Sequence, residues 1–183
     1  MKQEIIEQIE IPEGVTCEYL DNIIKCKKDS QEISREIRIP RIEVKIDDNI
    51  TISIKKGNQK DYKIIKTITS HLKNAFSGFE NKYIYKLQSV NVHFPITLKV
   101  EGENLIINNF LGEKVPRKAK ILPNVDVDIK GQDITVSSFN KESAGQTAAN
   151  FEKATKVKSR DNRIFQDGIY IIEKPKPGVK ENE

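Results

Sequence analysis

Long apolar runs are missing from this sequence of 183 residues. A helix that spans a bilayer needs about 18 or more consecutive apolar residues, and no stretch comes near that length. The first ten residues, MKQEIIEQIE, are acidic instead of basic and then apolar, so we expect no secretion signal here. These absences favour a cytoplasmic protein with reduced thiols and no membrane contact.

Cysteine and histidine are scarce, with two residues of each type. Cys17 and Cys26 do not form a CxxC pair, and there is no second pair, which excludes a four-cysteine zinc site. We interpret both as small buried side chains on opposite arms of a predicted hairpin. His71 and His93 have no cysteine or carboxylate at ligand spacing, so we expect no bound metal.

The short motifs of common enzymes are also absent, including the phosphate-binding loop, the nucleophile elbow and the zinc-protease helix. Asp126 and Asp128 stand two residues apart on a predicted strand, but they alternate with Val125 and Val127 and therefore face water. An acid–base pair needs one carboxyl group whose pKa is raised by burial. We expect no catalysis, no cofactor and no small-molecule substrate.

Positive charge is concentrated in the second part of the chain, whose formal net charge is +4. Residues 1–80 hold 14 basic and 14 acidic side chains, whereas residues 81–183 hold 17 basic and 13 acidic ones. The clusters are Lys114, Arg117, Lys118 and Lys120, and then Lys153, Lys156, Lys158, Arg160 and Arg163. Such clusters indicate contact with a polyanion, although charge alone is equally compatible with a solvated face.

One pattern occurs twice, in residues 39–53 (IPRIEVKIDDNITIS) and residues 121–137 (ILPNVDVDIKGQDITVS). Pairing Pro40 with Pro123 aligns the alternating apolar residues that follow, with one inserted residue in the turn. A match of this length predicts an internal duplication.

The match extends upstream at offsets of 81–82 residues. Residues 15–16 align with residues 96–97, and Arg35 aligns with Arg117.

The C-terminal tail has two prolines, a glycine and no apolar pattern, which is typical of a flexible end. We therefore divide the chain into a first module of residues 1–80, a second module of residues 81–174 and a flexible tail of residues 175–183. If the polyanion is RNA, the second module is the one that binds it.

Alternation with a period of two predicts strands in both copies. They are predicted at residues 15–20, 23–27, 42–46 and 50–54, and again at residues 96–100, 105–109, 125–129, 134–137 and 169–173. A stripe of helical period predicts a helix over residues 62–76, ended by a left-handed cap at Gly78. A second helix is predicted over residues 143–156, with Ser143 as its N-cap and alanines that allow close packing. We expect an α+β fold, a tandem duplication of a small β-sheet module with one helix packed on one face.

Three stretches resemble a known family: HFPIT at residues 93–97, NFLGEKVPR at residues 109–117 and KVKSRDNRIFQDGIY at residues 156–170. They are similar to the archaeal and eukaryotic form of the "L-six" family of large-subunit ribosomal proteins, called "L-nine" in eukaryotes. The N-terminal IEIPEGVT and the linker GFENKYIYKL extend the resemblance over nearly the whole chain. The family signature asks for glutamine where this chain has Lys153, which adds a cation at that position.

The resemblance implies a structural constituent of the large ribosomal subunit, in the cytoplasmic ribosome, with an archaeal source. It implies binding of large-subunit ribosomal RNA through the second module, near the sarcin–ricin loop and the docking site of translational GTPases, with neighbouring large-subunit proteins as further partners. We expect phosphate and shape recognition, because no aromatic triplet for base stacking on a sheet is present. The expected RNA contacts are Lys114, Arg117, Lys118, Lys153, Lys156, Lys158, Arg160, Arg163, Lys174 and Lys176.

A second hypothesis is a non-enzymatic protein–protein interaction module whose basic face is only solvated. Salt distinguishes the two hypotheses, because RNA contacts release counterions and weaken steeply between about 50 and 200 mM salt. A protein complex that is insensitive to salt favours the interaction module.

Overall fold

The structure is a computed structural model that describes residues 3–29, 31–37, 42–47, 49–161 and 163–175. The chain divides into two compact units, Met1–Glu80 and Asn81–Glu183, and each is described separately. Apart from Pro175, the predicted flexible tail lies outside the described residues, and the predicted RNA contact Lys176 lies outside them as well.

In its described residues, the first unit consists of two antiparallel sheets, ordered β1-β6-β5 and β2-β3-β4. The strands are β1 (Gln3–Glu10), β2 (Thr16–Leu20), β3 (Ile23–Lys28), β4 (Gln31–Glu36), β5 (Glu43–Ile46) and β6 (Asn49–Gly57). The predicted hairpin between β2 and β3 is confirmed, and its turn residues Asp21 and Asn22 both have positive φ, as a two-residue hairpin turn requires. β6 alternates as predicted, with Ile50, Ile52 and Ile54 buried.

Helix α1 (Gln59–Glu80) packs on β1 and β6. It begins three residues before its predicted start because Asn58 caps it: the side-chain oxygen accepts hydrogen bonds from the backbone N–H groups of Lys60 and Asp61, at 2.8 and 3.0 Å. The predicted cap at Gly78 is wrong. Gly78 lies inside the helix, which continues and buries Phe79.

In its described residues, the second unit has two antiparallel sheets, ordered β11-β12-β7-β13 and β10-β9-β8. The strands are β7 (Tyr83–Val90), β8 (Thr97–Glu101), β9 (Asn104–Asn108), β10 (Arg117–Lys120), β11 (Asp126–Lys130), β12 (Asp133–Ser138) and β13 (Gly168–Glu173). Both sheets contribute to one core, in which Leu105 and Ile107 of β9 and Ile134 of β12 are completely buried.

Helix α2 (Lys141–Ala154) packs on β7, β12 and β13 and contacts β10. The predicted N-cap at Ser143 is wrong, because Asn140 caps the helix by accepting a hydrogen bond of 3.0 Å from the backbone N–H of Glu142. Ala144 and Ala148 are completely buried, as is Phe151. The small side chains therefore allow the close packing that the sequence predicts.

The two units share one plan, which confirms the predicted duplication. The order β7–β12 and α2 repeats the order β1–β6 and α1, and the sheet order β7-β12-β11 repeats β1-β6-β5. The second unit has two additional segments. Residues 109–116 join β9 to β10, where positions 29–30 suffice between β3 and β4, and residues 155–167 lead from α2 to the extra strand β13.

The structure corrects one detail of the predicted repeat. The hairpins of the two copies are offset by 81 residues, so Ile24 corresponds to Leu105. Arg35 lies opposite Ile24, and Ala119 lies opposite Leu105, which makes Ala119 the counterpart of Arg35. The predicted match of Arg35 with Arg117 is wrong, because the second copy has the longer loop before β10.

Candidate nucleic-acid interface

Arg117, at the start of β10, joins the two basic segments that the sequence predicts. Its Nη1 donates hydrogen bonds to the carbonyl oxygens of Ala154 at 2.9 Å and Lys156 at 3.3 Å, at the C-terminal end of α2. The guanidinium also lies over the Phe110 ring, 4.2 Å from its centroid. The loop of residues 109–116 and the segment after α2 are thereby held together.

Glu113 binds the same guanidinium through hydrogen bonds from Nε at 2.8 Å and Nη2 at 2.5 Å. These hydrogen bonds hold the pKa of Glu113 below its usual value, and the positive charge of Arg160 adds to the effect. Arg160 therefore lies near the loop, although it belongs to the other basic segment. The side chain of Arg117 is only 24% exposed, so it acts as an internal bridge, and its contact with RNA stays a prediction.

Phe165 supports the second basic cluster. Its ring centroid lies 5.0 Å from that of His93, and the guanidinium of Arg160 lies 4.8 Å from it. Stacking on a ring covers one face of a guanidinium and leaves its N–H edge free for a phosphate. Arg163 pairs with Asp161 at 3.0 Å, which holds the pKa of Asp161 below its usual value, yet the Arg163 side chain remains 90% exposed.

The buried carboxylate of Asp167 ties the end of this segment to the turn after β7. It accepts hydrogen bonds from the backbone N–H groups of Val92 and His93 and from Nδ1 of His93 at 2.9 Å. Burial alone raises the pKa of Asp167, but the hydrogen bonds outweigh it and hold the pKa below its usual value. The turn beneath the basic segment is therefore anchored by a charged group.

Thr155 connects α2 to β13. Its buried hydroxyl donates a hydrogen bond of 3.2 Å to the carbonyl oxygen of Phe151 and accepts one of 2.9 Å from the backbone N–H of Ile169. Next to this connection lies a cavity of about 620 Å³, whose lining includes Lys153, Lys156 and Tyr170. Two of the predicted RNA contacts thus lie at one opening.

The structure brings a part of the predicted set together. Lys153 and Lys156 line the cavity, Arg160 lies near Glu113, and Lys114 follows Glu113 in the loop. Lys114, Lys153, Lys156 and Lys158 are exposed, and no ion pair with a described carboxylate is found for them. We call Lys114, Lys153, Lys156, Lys158, Arg160 and Arg163 the basic surface.

Other predicted contacts lie apart from the basic surface. Lys118 is exposed on the face of β10 opposite to Arg117 and the buried Ala119. Lys174 follows β13, six residues beyond Gly168, which corresponds to about 20 Å along a strand. Their contacts with RNA stay predictions.

Three residues that hold the surface in place were not predicted from the sequence: Glu113, Thr155 and Asp167. Asp167 lies within residues 156–170, one of the stretches that carry the family resemblance, but its partners lie 74 and 75 positions away. Glu113 pairs with Arg117 only four positions away, so its local signal was a carboxylate close to an arginine. The partner of Thr155 on β13 lies 14 positions away, where no local pattern shows it.

Two features of other protein classes are absent from the described part of the chain. None of its helices is long and apolar enough to cross a membrane. It contains no group of three or more histidine, cysteine or acidic side chains that could hold a metal ion. Cys26 is buried as predicted, but Cys17 is half-buried, and the two Sγ atoms lie 2.6 Å apart across the hairpin.

Comparisons with known proteins point to the ribosome. Residues 94–168 match a family model described as Ribosomal protein L6. A protein of Methanosphaera stadtmanae named large ribosomal subunit protein uL6 is 44% identical over 173 residues, which cover 93% of this chain and 94% of the relative. A protein of the same name from Methanosarcina mazei is 43% identical over 175 residues, which cover 95% and 99%. The range matched by the family model contains every residue of the basic surface.

Proposed function

Because the chain belongs to the uL6 family of large ribosomal subunit proteins, we propose that its second unit binds large-subunit ribosomal RNA through the basic surface. The family is one of structural ribosomal constituents, which confirms the expectation that the chain is not an enzyme. Neighbouring proteins of the large subunit are further partners in the cytoplasmic ribosome.

The observation that carries the proposal is the meeting of two distant basic segments. Arg117 binds main-chain carbonyl groups beyond α2, so Lys114 and the cations of residues 153–163 project from one fixed frame. Lysine and arginine side chains that neutralise phosphates release condensed counterions, which makes binding favourable and dependent on salt. Arg160 suits a phosphate especially well, because its guanidinium lies over the Phe165 ring, 4.8 Å from the centroid, and a guanidinium can bind a phosphate in bidentate fashion.

The RNA site that we propose is the region of the sarcin–ricin loop, where translational GTPases approach transiently. Support comes from the likeness of residues 156–170 to the family signature. Crosslinking of the full chain to ribosomal RNA, with a photoreactive group at Lys158, tests this location. Crosslinks to other RNA regions contradict the location but leave the binding of RNA intact.

A filter-binding titration between about 50 and 200 mM salt tests RNA binding, with a transcript of the large-subunit ribosomal RNA as the probe. Replacing Arg160 or Arg163 with alanine should lower the slope of log affinity against log salt by roughly one unit each. Lys25→Ala, an exposed lysine on β3, is the matched control and should leave the slope unchanged. Unchanged slopes in both arginine variants contradict their assignment as phosphate contacts.

The same titration distinguishes RNA binding from the alternative hypothesis of a protein–protein interaction module. If the wild-type chain does not bind the transcript at low salt but co-purifies with a protein at high salt, the RNA proposal fails. The basic surface then serves only solubility.

A further inference from the structure

We propose that the cavity beside β13 accepts one unstacked base of the bound RNA, so that the second unit reads a base in addition to the phosphate backbone. The proposal rests on the proposed function and deepens it. The cavity measures about 620 Å³, within the range of roughly 300–1,000 Å³ that small-molecule sites occupy. It lies between the end of α2 and β13, an edge strand of the four-stranded sheet.

The walls of the cavity suit a flat aromatic ligand. Val157, Phe165 and Ile169 supply apolar surface. Tyr170 is 43% exposed, so one part of its side chain is open to a stacking partner. Splayed bases of single-stranded RNA segments are recognised by stacking on aromatic side chains in this way.

Tyr170 is positioned before any ligand arrives. Its hydroxyl donates a hydrogen bond of 3.0 Å to the carbonyl oxygen of Gln166. The ring also lies over Gly168, where a Cβ atom would stand 3.4 Å from it. Because the ring is already held, stacking costs little side-chain entropy.

Polar groups at the opening match the rest of a nucleotide. Lys153 and Lys156 can bind the phosphates on either side of the inserted base. Glu152, also in the lining, offers a carboxylate that accepts hydrogen bonds from amino groups of a base. We therefore expect a base with an exocyclic amino group, not uracil.

The decisive variant is Tyr170→Leu in the full chain, with the large-subunit transcript as the probe. Loss of one base stack should weaken binding by roughly tenfold and leave the salt slope unchanged, because no charge is removed. Tyr62→Leu is the matched control, because Tyr62 in α1 is 45% exposed, and it should bind as the wild type does. Equal affinities of the two variants overturn the base site while the proposed function stands.

Chemical probing of the transcript with dimethyl sulfate gives a second readout. The wild-type chain should protect one unpaired base that becomes reactive again with Tyr170→Leu but stays protected with Tyr62→Leu. If both variants give the wild-type pattern, the cavity takes no base. If the wild-type chain does not bind the transcript at all, the proposed function itself has failed.

Thermal unfolding shows whether Tyr170→Leu folds. If it does not fold, Glu152→Met provides an alternative test of the base site. Removal of a negative charge from a surface that only meets phosphates raises the affinity for RNA. If Glu152 accepts hydrogen bonds from a base, the same variant lowers the affinity by several-fold. The sign of the change therefore decides whether the cavity holds a base.

A second inference concerns the first unit and is independent of RNA. Cys17 and Cys26 lie directly opposite each other on β2 and β3, with Sγ atoms 2.6 Å apart. Along a hairpin, residue pairs that exchange backbone hydrogen bonds alternate with pairs that do not. Counted from the two-residue turn, Cys17 and Cys26 form a pair of the second kind, in which the Cα atoms approach to about 4.5 Å. That separation falls within the range a disulfide spans, and we infer that the two thiols form a reversible disulfide.

A low-molecular-weight disulfide is the oxidant that this reaction needs. Cys17 is the half-buried thiol, and its hydrogen bond with Cys26 lowers its pKa, so its thiolate attacks one sulfur of the oxidant and releases the first thiolate. Cys26 then loses its proton to solvent and attacks the Cys17 sulfur, which releases the second thiolate. The protein loses two protons and two electrons, and the oxidant is reduced to two thiols.

Oxidised glutathione and intact-mass measurement test this couple in the full chain. Wild type should lose two hydrogens and retain no adduct, whereas Cys26→Ser should keep glutathione on Cys17. Cys17→Ser is the control and should remain unreacted, because Cys26 is buried. A persistent adduct on the wild type, or no reaction of it, overturns the inference.

Discussion

The two units are built on the same plan, and the basic surface lies where they differ. In the first unit, β3 connects to β4 across positions 29–30, and α1 leads directly into the next strand. In the second unit, these two places hold the loop of residues 109–116 and the segment of residues 155–167. The duplicated strands and helix thus serve as a support. Five of the six residues of the basic surface, all but Lys153 of α2, belong to the added segments.

The units also differ in their balance of charge. Residues 1–80 hold 14 basic and 14 acidic side chains, whereas residues 81–183 hold 17 basic and 13 acidic ones. Pairs of lysine and carboxylate occur in both units, as in Lys66 with Glu7 and Lys86 with Glu173. We therefore expect the excess positive charge, and not the number of ion pairs, to direct phosphate binding to the second unit.

The largest effect should come from removing charge on the basic surface. The triple variant Lys153→Ala, Lys156→Ala and Arg160→Ala should lower the salt slope by about two to three and weaken RNA binding on the order of a hundredfold. Filter binding to the large-subunit transcript measures both. The variant Lys25→Ala, Lys60→Ala and Lys63→Ala removes equal charge from the first unit and should change neither; equal losses would mean that net charge, not the basic surface, drives binding.

The next largest effect should come from Asp167, whose buried carboxylate binds the backbone N–H groups of Val92 and His93. Asp167→Asn should lower the free energy of unfolding by about 2 kcal/mol at neutral pH, because hydrogen bonds to a charged acceptor are lost. The pKa of Asp167 is held below its usual value, so this contribution is present above about pH 4 and disappears as the pH falls through the lowered pKa. Urea unfolding at several pH values measures it.

Asp128→Asn is the control for that comparison, because Asp128 is exposed and pairs only at the surface with Lys130. Its free energy of unfolding should stay within about 0.5 kcal/mol of the wild type. If Asp167→Asn behaves like Asp128→Asn, the turn after β7 is not held by the buried carboxylate.

Arg117→Ala separates an internal bridge from a phosphate contact. Loss of its hydrogen bonds to Ala154 and Lys156 should cost about 1–2 kcal/mol of stability, measured by urea unfolding. If Arg117 also contacts RNA as predicted, the salt slope of RNA binding should fall by about one unit. An unchanged slope would leave Arg117 as an internal bridge alone.

The smallest effects should be equal in the two units. Asn58→Ala and Asn140→Ala each remove a helix N-cap and should each cost about 1 kcal/mol in thermal or urea unfolding. RNA binding should be unchanged in both. A cost confined to one of the two variants would show that the duplicated helices are not equally important to their units.

Much of the fold was predictable because its signals are local. Alternating apolar residues placed nine strands, and a helical stripe placed α1 to within a few residues. The strands β1, β4, β7 and β10 were not predicted. Its true start was also present in the sequence, since Asn58 and Asp61 form a reciprocal capping pair. Its end was not, because Gly78 alone cannot reveal that Phe79 is buried in the core.

The candidate site was predictable only as a set of charges. Lysine and arginine are visible in any sequence, but their grouping depends on which segments meet. The contact of Arg117 with RNA stays a prediction, but no local pattern indicated that its guanidinium donates hydrogen bonds to carbonyl groups 37 and 39 positions away. Lys118 has the same charge and a neighbouring position, yet strand alternation turns it to the other face.

By itself, the sequence determined the duplication, the α+β class, the ribosomal family and the location of excess positive charge. Each of these properties depends only on the order and composition of the residues. Only the tertiary structure decided which cations share a surface, which of them are occupied internally and where a cavity opens beside them. The physical reason is that hydrogen bonds such as those of Arg117, Thr155 and Asp167 join segments far apart in the chain. No local pattern encodes such partners, and packing alone selects them.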